Sequence, residues 1–513
     1  MSGTKKDLMV YCLEIMEEDK NQLNIEIPKV VREALLLLKT QNYEAYLVGG
    51  CVRDLLLGRP IHDWDITTNT KPEGIQKLFP KSVYENQFFT INVITEDNDP
   101  TLKNIEITTY RSESGYLDNR HPSEIKPVQT LKEDLSRRDF TVNALALDFP
   151  DIQIMDYFDG EKDLESKIIR AVGNPNERFQ EDALRMIRAI RFACSLDFEI
   201  ESKTLLALKE NSALLKNIST ERIRDEFFKI IMTPRAKWGV MTLSETGLLK
   251  LFLPELEEGI NITQNKHHIY TVWEHNLNSL DYAVSNDYSL EVRLAALLHD
   301  IGKPRRKGGE GKDATFYNHE MESAKMFKVI ANRLHFSNDL YSKIYTLIRY
   351  HGFLYEVDIT TDASLRRLLV NVGRENIEDL AKVRESDRIG SGCAKANPFK
   401  LRHFLFRMEK ILKELDGENP SLKMLKVDGN DLMKEGIKPG PRLGYILGIL
   451  LEKVIDDPAI NEKEFLLKSV AELKEKNDSE LLTLSEKAKE VYRDTLDESE
   501  AEIKKKYYVA DKG

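Results

Sequence analysis

Short apolar-polar runs crowd residues 44–156, among them EAYLVGG, FTINVIT, NIEITTY and VNALALDF. Alternation of this kind predicts half-buried strands, and brief helical patterns lie between the runs. This stretch therefore reads as a small α/β or α+β domain and as the only sheet-like part of the chain. From about Glu161 the period changes. Ala183, Ile187, Ile190 and Ala193 recur at helical spacing and predict a helix over Phe179–Cys194, and Thr220–Ile231 is a second amphipathic helix. A third block, from roughly Gly259 to Arg388, is marked by histidines, and a fourth, from about Pro398, carries the turn GIKPGPRLG. Beyond Asn477 the chain reads as charged helix or tail, with no fixed-period repeat.

Length and composition narrow this picture. A chain of 513 residues is too long for one core. Cys12, Cys51, Cys194 and Cys393 have no paired spacing, which argues against a disulfide framework or a thiolate metal site and fits a reducing cytosol. No segment approaches the ~20 apolar residues of a membrane span, so the chain reads as untargeted, soluble and cytoplasmic. The net charge of −11 repels polyanions at long range, so a nucleic-acid site must be a local basic face.

Chemistry concentrates first in LVGGCVRDLLLGRPIHDWDIT, Leu47–Thr67. An extended Asp63-Trp64-Asp65 sends both carboxylates to one side of a strand while Trp64 faces the core. Two carboxylates at one place call for a cation, and hard oxygen ligands with substrate phosphates suit Mg2+. Two such ions would activate a hydroxyl and stabilise a leaving pyrophosphate. Gly49 and Gly50 end a strand and open a helix, where backbone amides can approach a triphosphate, and Arg53 one turn on can reach the same anion.

GGCVRD followed by DWD resembles motif A of the class II tRNA nucleotidyltransferases and the related bacterial poly(A) polymerases, members of the polymerase-β-like superfamily. SRRDFTVNALALD, DYFDG, EDALRMIRAIRFA and ERIRDEFFKI follow in the order of that family, and the resemblance covers about residues 29–255. It implies that Arg138 and Asp139 hold the incoming ribose, that Asp159 and Gly160 form a hinge, and that Glu221 and Arg222 brace a helical neck. Glu106, on NIEITTY, is a candidate third carboxylate.

Glu181, Asp182 and Arg185 fall within one predicted turn, with Asp182 and Arg185 sharing a face. Aspartate accepts from an exocyclic amine and arginine donates to a ring acceptor, so the pair would match cytosine and adenine and mismatch uracil and guanine. In the family the matching residues select CTP and ATP. The bland alternative is an intrahelical salt bridge.

His275, the adjacent His299 and Asp300, and Asp387 resemble the ligand set of the HD phosphohydrolase domain, which implies a divalent metal with open positions for water and phosphate and a phosphate contact from Lys303. Spacing alone does not say whether His319 and His351 complete a second metal site. The C-terminal KPGPRLG resembles the tRNA-binding body of family members that carry an HD domain, with Lys438 and Arg442 as candidate phosphate contacts.

The expected protein has a polymerase-β-like head with a small mixed sheet (1–160, core 28–160), a helical neck (161–258), an HD domain (259–395) and a helical tRNA-binding body and tail (396–513). The expected activity is template-independent addition of C, C and A to the tRNA 3′ end from CTP and ATP. A bacterial poly(A) polymerase shares the head motifs but lacks the HD block and KPGPRLG. An enzyme adding only CC or only A is countered by the loop Thr108–Ile125, which resembles the head loop of enzymes that add the terminal A. A third alternative, in which the HD block works and the head only binds RNA, is opposed by the intact Asp63/Asp65 and Asp182/Arg185 pairs. Oligomeric state is not fixed by the sequence.

Overall fold

The computed structural model describes residues 26–85, 89–116, 122–265, 269–393, 399–415 and 421–486. Cys12, the tip of the 108–125 loop and most of the charged tail thus lie outside the described residues. The chain divides into two compact units, Met1–Leu253 and Pro254–Gly513.

The first unit contains β1 (Ala45–Val48), β2 (Trp64–Thr68), β3 (Ser82–Glu85), β4 (Thr90–Ile94), β5 (Asn104–Thr109), β6 (Arg111–Tyr116), β7 (Pro122–Pro127), β8 (Leu145–Asp148) and β9 (Gln153–Asp156). Seven of them form one mixed sheet in the order β3-β4-β5-β2-β1-β8-β9, and β6 and β7 pair as a separate hairpin. Only β2 and β5 run parallel in that sheet. The alternation seen in the sequence is real: on β5, Ile105 and Ile107 are buried while Asn104 and Glu106 are exposed. β1 ends at Gly49, whose φ of 84° favours glycine, and the Gly50–Leu56 helix starts there. Together with the helices that follow, this makes the fold α+β. Outside the expected strand region lie a two-residue parallel pairing of Ile168–Ile169 with Glu199–Ile200 and isolated bridges that include Gly308 with Thr315.

The predicted helix over Phe179–Cys194 is broken. One helix runs Pro175–Glu181 and a second Leu184–Leu196, with Asp182 extended between them at φ −133° and ψ 104°. The Asp182 carboxylate accepts from the Leu184 N–H at 3.0 Å, a local bond that competes with the helical ladder. Ile187, Ile190 and Ala193 are buried as their spacing predicts, and the Thr220–Ile231 helix forms over the expected residues.

The second unit is helical. The Val272–Ser285 helix opens on a capping box of Thr271 and Glu274. With the Leu290–Leu298, His319–Arg333, Asn338–Tyr350 and Ile377–Gly390 helices it brings the histidines together. Farther along, Leu432, Ile446, Leu450, Val454, Leu466 and Val470 build a separate apolar core. The expectation that Arg442 meets a phosphate is not supported. Its guanidinium is held by Asp478 and donates to the Lys474 and Lys476 carbonyls at 2.7 and 2.6 Å, closing the end of the Lys463–Leu473 helix. Lys438 is exposed.

Candidate active site and a histidine-lined centre

Trp64 is buried, so β2 turns Asp65 to the opposite face, and exposed Asp63 immediately precedes the strand. Parallel pairing sets Asp65 directly across from Glu106 on β5, and Glu106 in turn across from Asn92 on β4, so all three share one face. The Gly49 turn borders this face. A Cβ on Gly49 would meet Arg138 Nη1 at 2.5 Å and Asp65 Oδ2 at 3.7 Å. Burial lifts the Asp65 carboxyl above its usual range; Arg138 opposes that and Asp63 adds to it. A half-buried acid that feels a second acid beside it is a fitting host for a divalent cation. Arg138 Nε is buried without a hydrogen-bond acceptor among the described residues, which leaves a donor for an anion beside the carboxylates.

Two other expected residues are turned inward. Arg53 is buried and donates through Nε and Nη2 to Asp54 at 3.0 and 2.7 Å and through Nη1 to Asn143 Oδ1 at 2.6 Å, so its fork does not face an open anion site. Asp139 is also buried, with its carboxylate fully engaged. Asn143 Nδ2 and the Phe140 amide donate to Oδ1 at 3.1 and 2.9 Å, and Arg188 donates twice to Oδ2 at 2.9 and 2.6 Å. Burial alone would raise its pKa, but Arg188 and the bond from Asn143 outweigh that and hold it at about 2. In this structure Asp139 clamps protein groups and is not open toward a ribose.

Asp182 and Arg185 do not form the salt bridge considered above. Asp182 caps Leu184 and lies 3.4 Å from Arg222, whereas Arg185 donates to Glu181 at 2.6 Å and to the Arg137 carbonyl at 2.9 Å. They stand beside each other at a helix start with separate supports. The contact from Arg222 fits its expected bracing role. Asn143 and Arg188 were not singled out by sequence reasoning, although both lie inside quoted motifs.

In the second unit His275, His299, Asp300 and Asp387 converge, all buried. The Nε2 atoms of His275 and His299 are 3.0 Å apart and lie 3.1 and 3.2 Å from Asp300 Oδ2. Asp387 Oδ1 is 3.2 Å from His275 Nε2. The other oxygen, Asp300 Oδ1, faces His319 Nε2 at 3.2 Å and His351 Nε2 at 3.5 Å, so Asp300 joins two sets of candidate ligands. The tautomers follow from the backbone. His299, His319 and His351 each place Nδ1 at 2.7–2.8 Å from the carbonyl three residues earlier, an acceptor only, so each carries its proton on Nδ1 and turns Nε2 inward. Lone pairs on nitrogen and carboxylate oxygen then face each other at contact distance, an arrangement that positive charge between them, a proton or a metal ion, stabilises. The same demand appears in His299: burial would lower its pKa, yet Asp300 and Asp387 raise it to about 9. These residues fit divalent metal ions. A cavity of about 230 Å³ opens beside them, lined also by Asn265, Lys303, Phe316, Glu320 and Arg384. Lys303 Nζ lies 2.5 Å from Asp300 Oδ2.

Asp65 and Glu106 share one face of a mixed sheet beside a glycine turn, continued by helices, and similarity to known proteins places this unit among the nucleotidyltransferases of the polymerase-β-like class. Residues 45–170 match the poly A polymerase head domain, 197–260 the "Probable RNA and SrmB- binding site of polymerase A", and 322–470 tRNA nucleotidyltransferase domain 2. The CCA-adding enzyme of Lactobacillus delbrueckii subsp. bulgaricus is 34% identical over 452 residues, spanning 87% of this chain and 99% of the relative. That of Enterococcus faecalis is 48% identical over 236 residues, 45% of this chain and 56% of its own length. The crystal structure of the Bacillus stearothermophilus CCA-adding enzyme in complex with CTP superposes with a TM-score of 0.64 at 27% identity, covering 88% of this chain and 99% of that one. The chain belongs to the family of CCA-adding enzymes. It is a divalent-metal-dependent nucleotidyltransferase that carries out CCA addition. Among the described residues no helix is long and apolar enough to cross a membrane.

Proposed function

We propose that Asp63 and Asp65 hold the ions of the transfer, with Glu106 as a third carboxylate, and that the ion is Mg2+ because every donor is a hard oxygen. Bound there, it would supply Lewis-acid stabilisation of the phosphate oxygens and a more acidic attacking hydroxyl. The substrates are tRNA, CTP and ATP. The tRNA 3′-oxygen bonds to the α-phosphorus and pyrophosphate departs. Gly49 and Gly50 let backbone approach the triphosphate, and Arg138, poised between Gly49 and Asp65, donates to it. Asp182 accepts from the exocyclic amine of cytosine or adenine while Arg185 donates to the ring. Uracil and guanine leave both groups unpaired, and because both are charged the cost exceeds the roughly 1–3 kcal/mol of a neutral group. Residues 1–160 serve as head and 161–258 as neck.

The observation that carries this reading is the Asp65–Glu106 face against the Gly49 turn. Its test offers tRNAs ending before CCA, after C, after CC and after CCA, each with one nucleotide at a time. Wild-type enzyme completes every truncated end and extends no complete one, and Asp65→Ala completes none. Addition by Asp65→Ala within tenfold of wild type would refute the metal assignment. Products that stop at CC, or that run past A, would reassign the chain to a CC-adding enzyme or a poly(A) polymerase.

The histidine centre supports a second activity, with residues 259–395 as an HD phosphohydrolase domain and 396–513 as a tRNA-binding body. His275, His299 and Asp387 would hold one divalent ion, His319 and His351 another, and Asp300 would bridge them. Lys303 and Arg384 face the cavity as phosphate contacts. Hydrolysis of a terminal phosphate or 2′,3′-cyclic phosphate would restore the free hydroxyl that the transferase extends. Hydrolysis by wild type, lost in a His299→Ala/Asp300→Ala double variant that still adds CCA, is the expected result. Wild-type protein inactive with magnesium, manganese, nickel and cobalt would remove the proposal.

A further inference from the structure

The helix that begins beside the base-reading pair is fastened to the head along a single face. Counting from Arg185, the contacts fall at Arg188, Phe192 and Ser195, that is i, i+3, i+7 and i+10, one stripe of an α-helix. Arg188 holds Asp139 with two donors. Phe192 meets Phe140 edge to face at 5.7 Å and has the Arg53 and Arg188 guanidiniums each 5.3 Å from its ring centre. The Ser195 carbonyl accepts from Arg59 at 2.9 Å. The first of these contacts continues inward. Asp139 accepts from Asn143, and Asn143 accepts from Arg53, which belongs to the helix that starts at the Gly49–Gly50 turn. An unbroken chain, Arg188–Asp139–Asn143–Arg53, thus runs from one turn beyond Arg185 to one turn beyond the glycines. Asn143 is chemically suited to the middle link, since its amide accepts from a guanidinium and donates to a carboxylate at once; aspartate in its place could do only the first.

We infer that Arg188 and Asn143 are positioning residues for nucleotide selection: through Asp139 and Arg53 they fix the distance and rotation between the base-reading edge at Asp182/Arg185 and the triphosphate turn at Gly49/Gly50. The inference rests on the reading of Asp182 and Arg185 as the base-reading pair. A template edge selects a base only if the base arrives at a set depth, and the triphosphate end determines that depth. Loosening the chain lets the wrong base settle for partial hydrogen bonding. The correct base loses rate because its α-phosphate is displaced from the 3′-hydroxyl, for which a misplacement of about 1 Å costs about a hundredfold.

The test is single-nucleotide addition to a tRNA lacking CCA, with CTP, ATP, UTP and GTP each titrated, on Arg188→Ala, Arg188→Lys, Asn143→Ala, Asn143→Asp and Asp182→Ala. Arg188→Ala and Asn143→Ala are expected to lose about a hundredfold in kcat/KM for CTP, mostly in kcat, and to narrow the CTP-to-UTP ratio by at least about tenfold. Arg188→Lys recovers part of both, Asn143→Asp behaves as Asn143→Ala, and the Arg188→Ala/Asn143→Ala double variant is no worse than either single one because they break one chain. Should Arg188→Ala fail to fold, Arg188→Lys and the Asn143 pair carry the comparison. A common factor on all four nucleotides, or additive losses, would make the chain structural and overturn the inference. If Asp182→Ala loses discrimination while the Asn143 and Arg188 variants keep it, only this inference fails. If Asp182→Ala itself keeps full discrimination, the base-reading assignment fails and takes the inference with it.

Discussion

Replacing Gly49 with alanine separates the cost of a backbone position from the cost to catalysis. Gly49 has φ 84° and ψ −134°, a region that residues with a Cβ avoid, and forcing alanine into it costs about 1–3 kcal/mol. The added Cβ would also fall 2.5 Å from Arg138 Nη1. That atom is the far end of a flexible side chain, so the clash is relieved by swinging the guanidinium away and adds little to the folding cost. Against a typical domain stability of about 5–15 kcal/mol the variant stays folded. The displaced arginine, however, is the donor placed between the glycine turn and Asp65. Loss of one hydrogen bond to a charged phosphate is worth about 1.5–3 kcal/mol, which is about tenfold to about a hundredfold in kcat/KM. Gly50→Ala leaves Arg138 in place and so reports only what an added Cβ costs the backbone's approach to the triphosphate. Its Cβ would meet Arg53 Nη2 at 3.7 Å, ordinary contact, in a helix where alanine is favoured over glycine. The assay is CTP addition to a tRNA lacking CCA, with urea unfolding in parallel. Gly49→Ala within twofold of wild type, or equal losses in both variants, would refute the role given to Arg138.

Glu106→Gln keeps the β5 fold but removes one carboxylate from the Asp65 face, so the magnesium concentration for half-maximal addition should rise, with excess metal recovering most of the rate; an unchanged metal titration removes Glu106 from the site. Asp139 has a folded pKa of about 2, below its unfolded value, so it contributes stability that is present above about pH 4 and lost as pH falls toward 2. That contribution is on the order of 2 kcal/mol, and urea unfolding between pH 5 and 2.5 should show a slope that is shallower in Asp139→Asn than in the wild type, where other carboxylates titrate as well. Purified protein, freed of loose metal by gel filtration, should retain divalent ions at the histidine centre by elemental analysis, and the His299→Ala/Asp300→Ala variant should lose them.

The sequence made the carboxylate face only partly legible. Trp64 between two aspartates implies a strand with its tryptophan turned to the core, and the buried Trp64 bears that part out, while Asp63 stands just ahead of β2. Glu106 is different. Its place opposite Asp65 depends on β2 pairing in parallel with a strand that follows two intervening strands, and nothing local to NIEITTY sets that register. Arg53 illustrates the same limit. Its spacing from Gly49 suggests an anion contact, but Asn143, ninety positions away in the chain, captures its Nη1. The break at Asp182 went unread because EDALRMIRAIRFA has unbroken helical propensity, and one side-chain bond to the Leu184 amide suffices to end the first helix.

The histidine centre divides along the same physical line. Each of His299, His319 and His351 binds the carbonyl three residues before it, at the last turn of a helix or just ahead of the first, so its tautomer and ring direction are local properties. What is not local is the meeting itself. Asp300 Oδ2 faces His275 and His299 while Oδ1 faces His319 and His351, and these four rings come from four helices whose packing is set by buried leucine, isoleucine and phenylalanine elsewhere on their surfaces. Residue spacing can therefore supply the inventory of ligands and the nitrogen each would offer. The sharing of one carboxylate between two ligand sets is a tertiary property, and it is the feature that separates a one-ion reading of this centre from a two-ion reading.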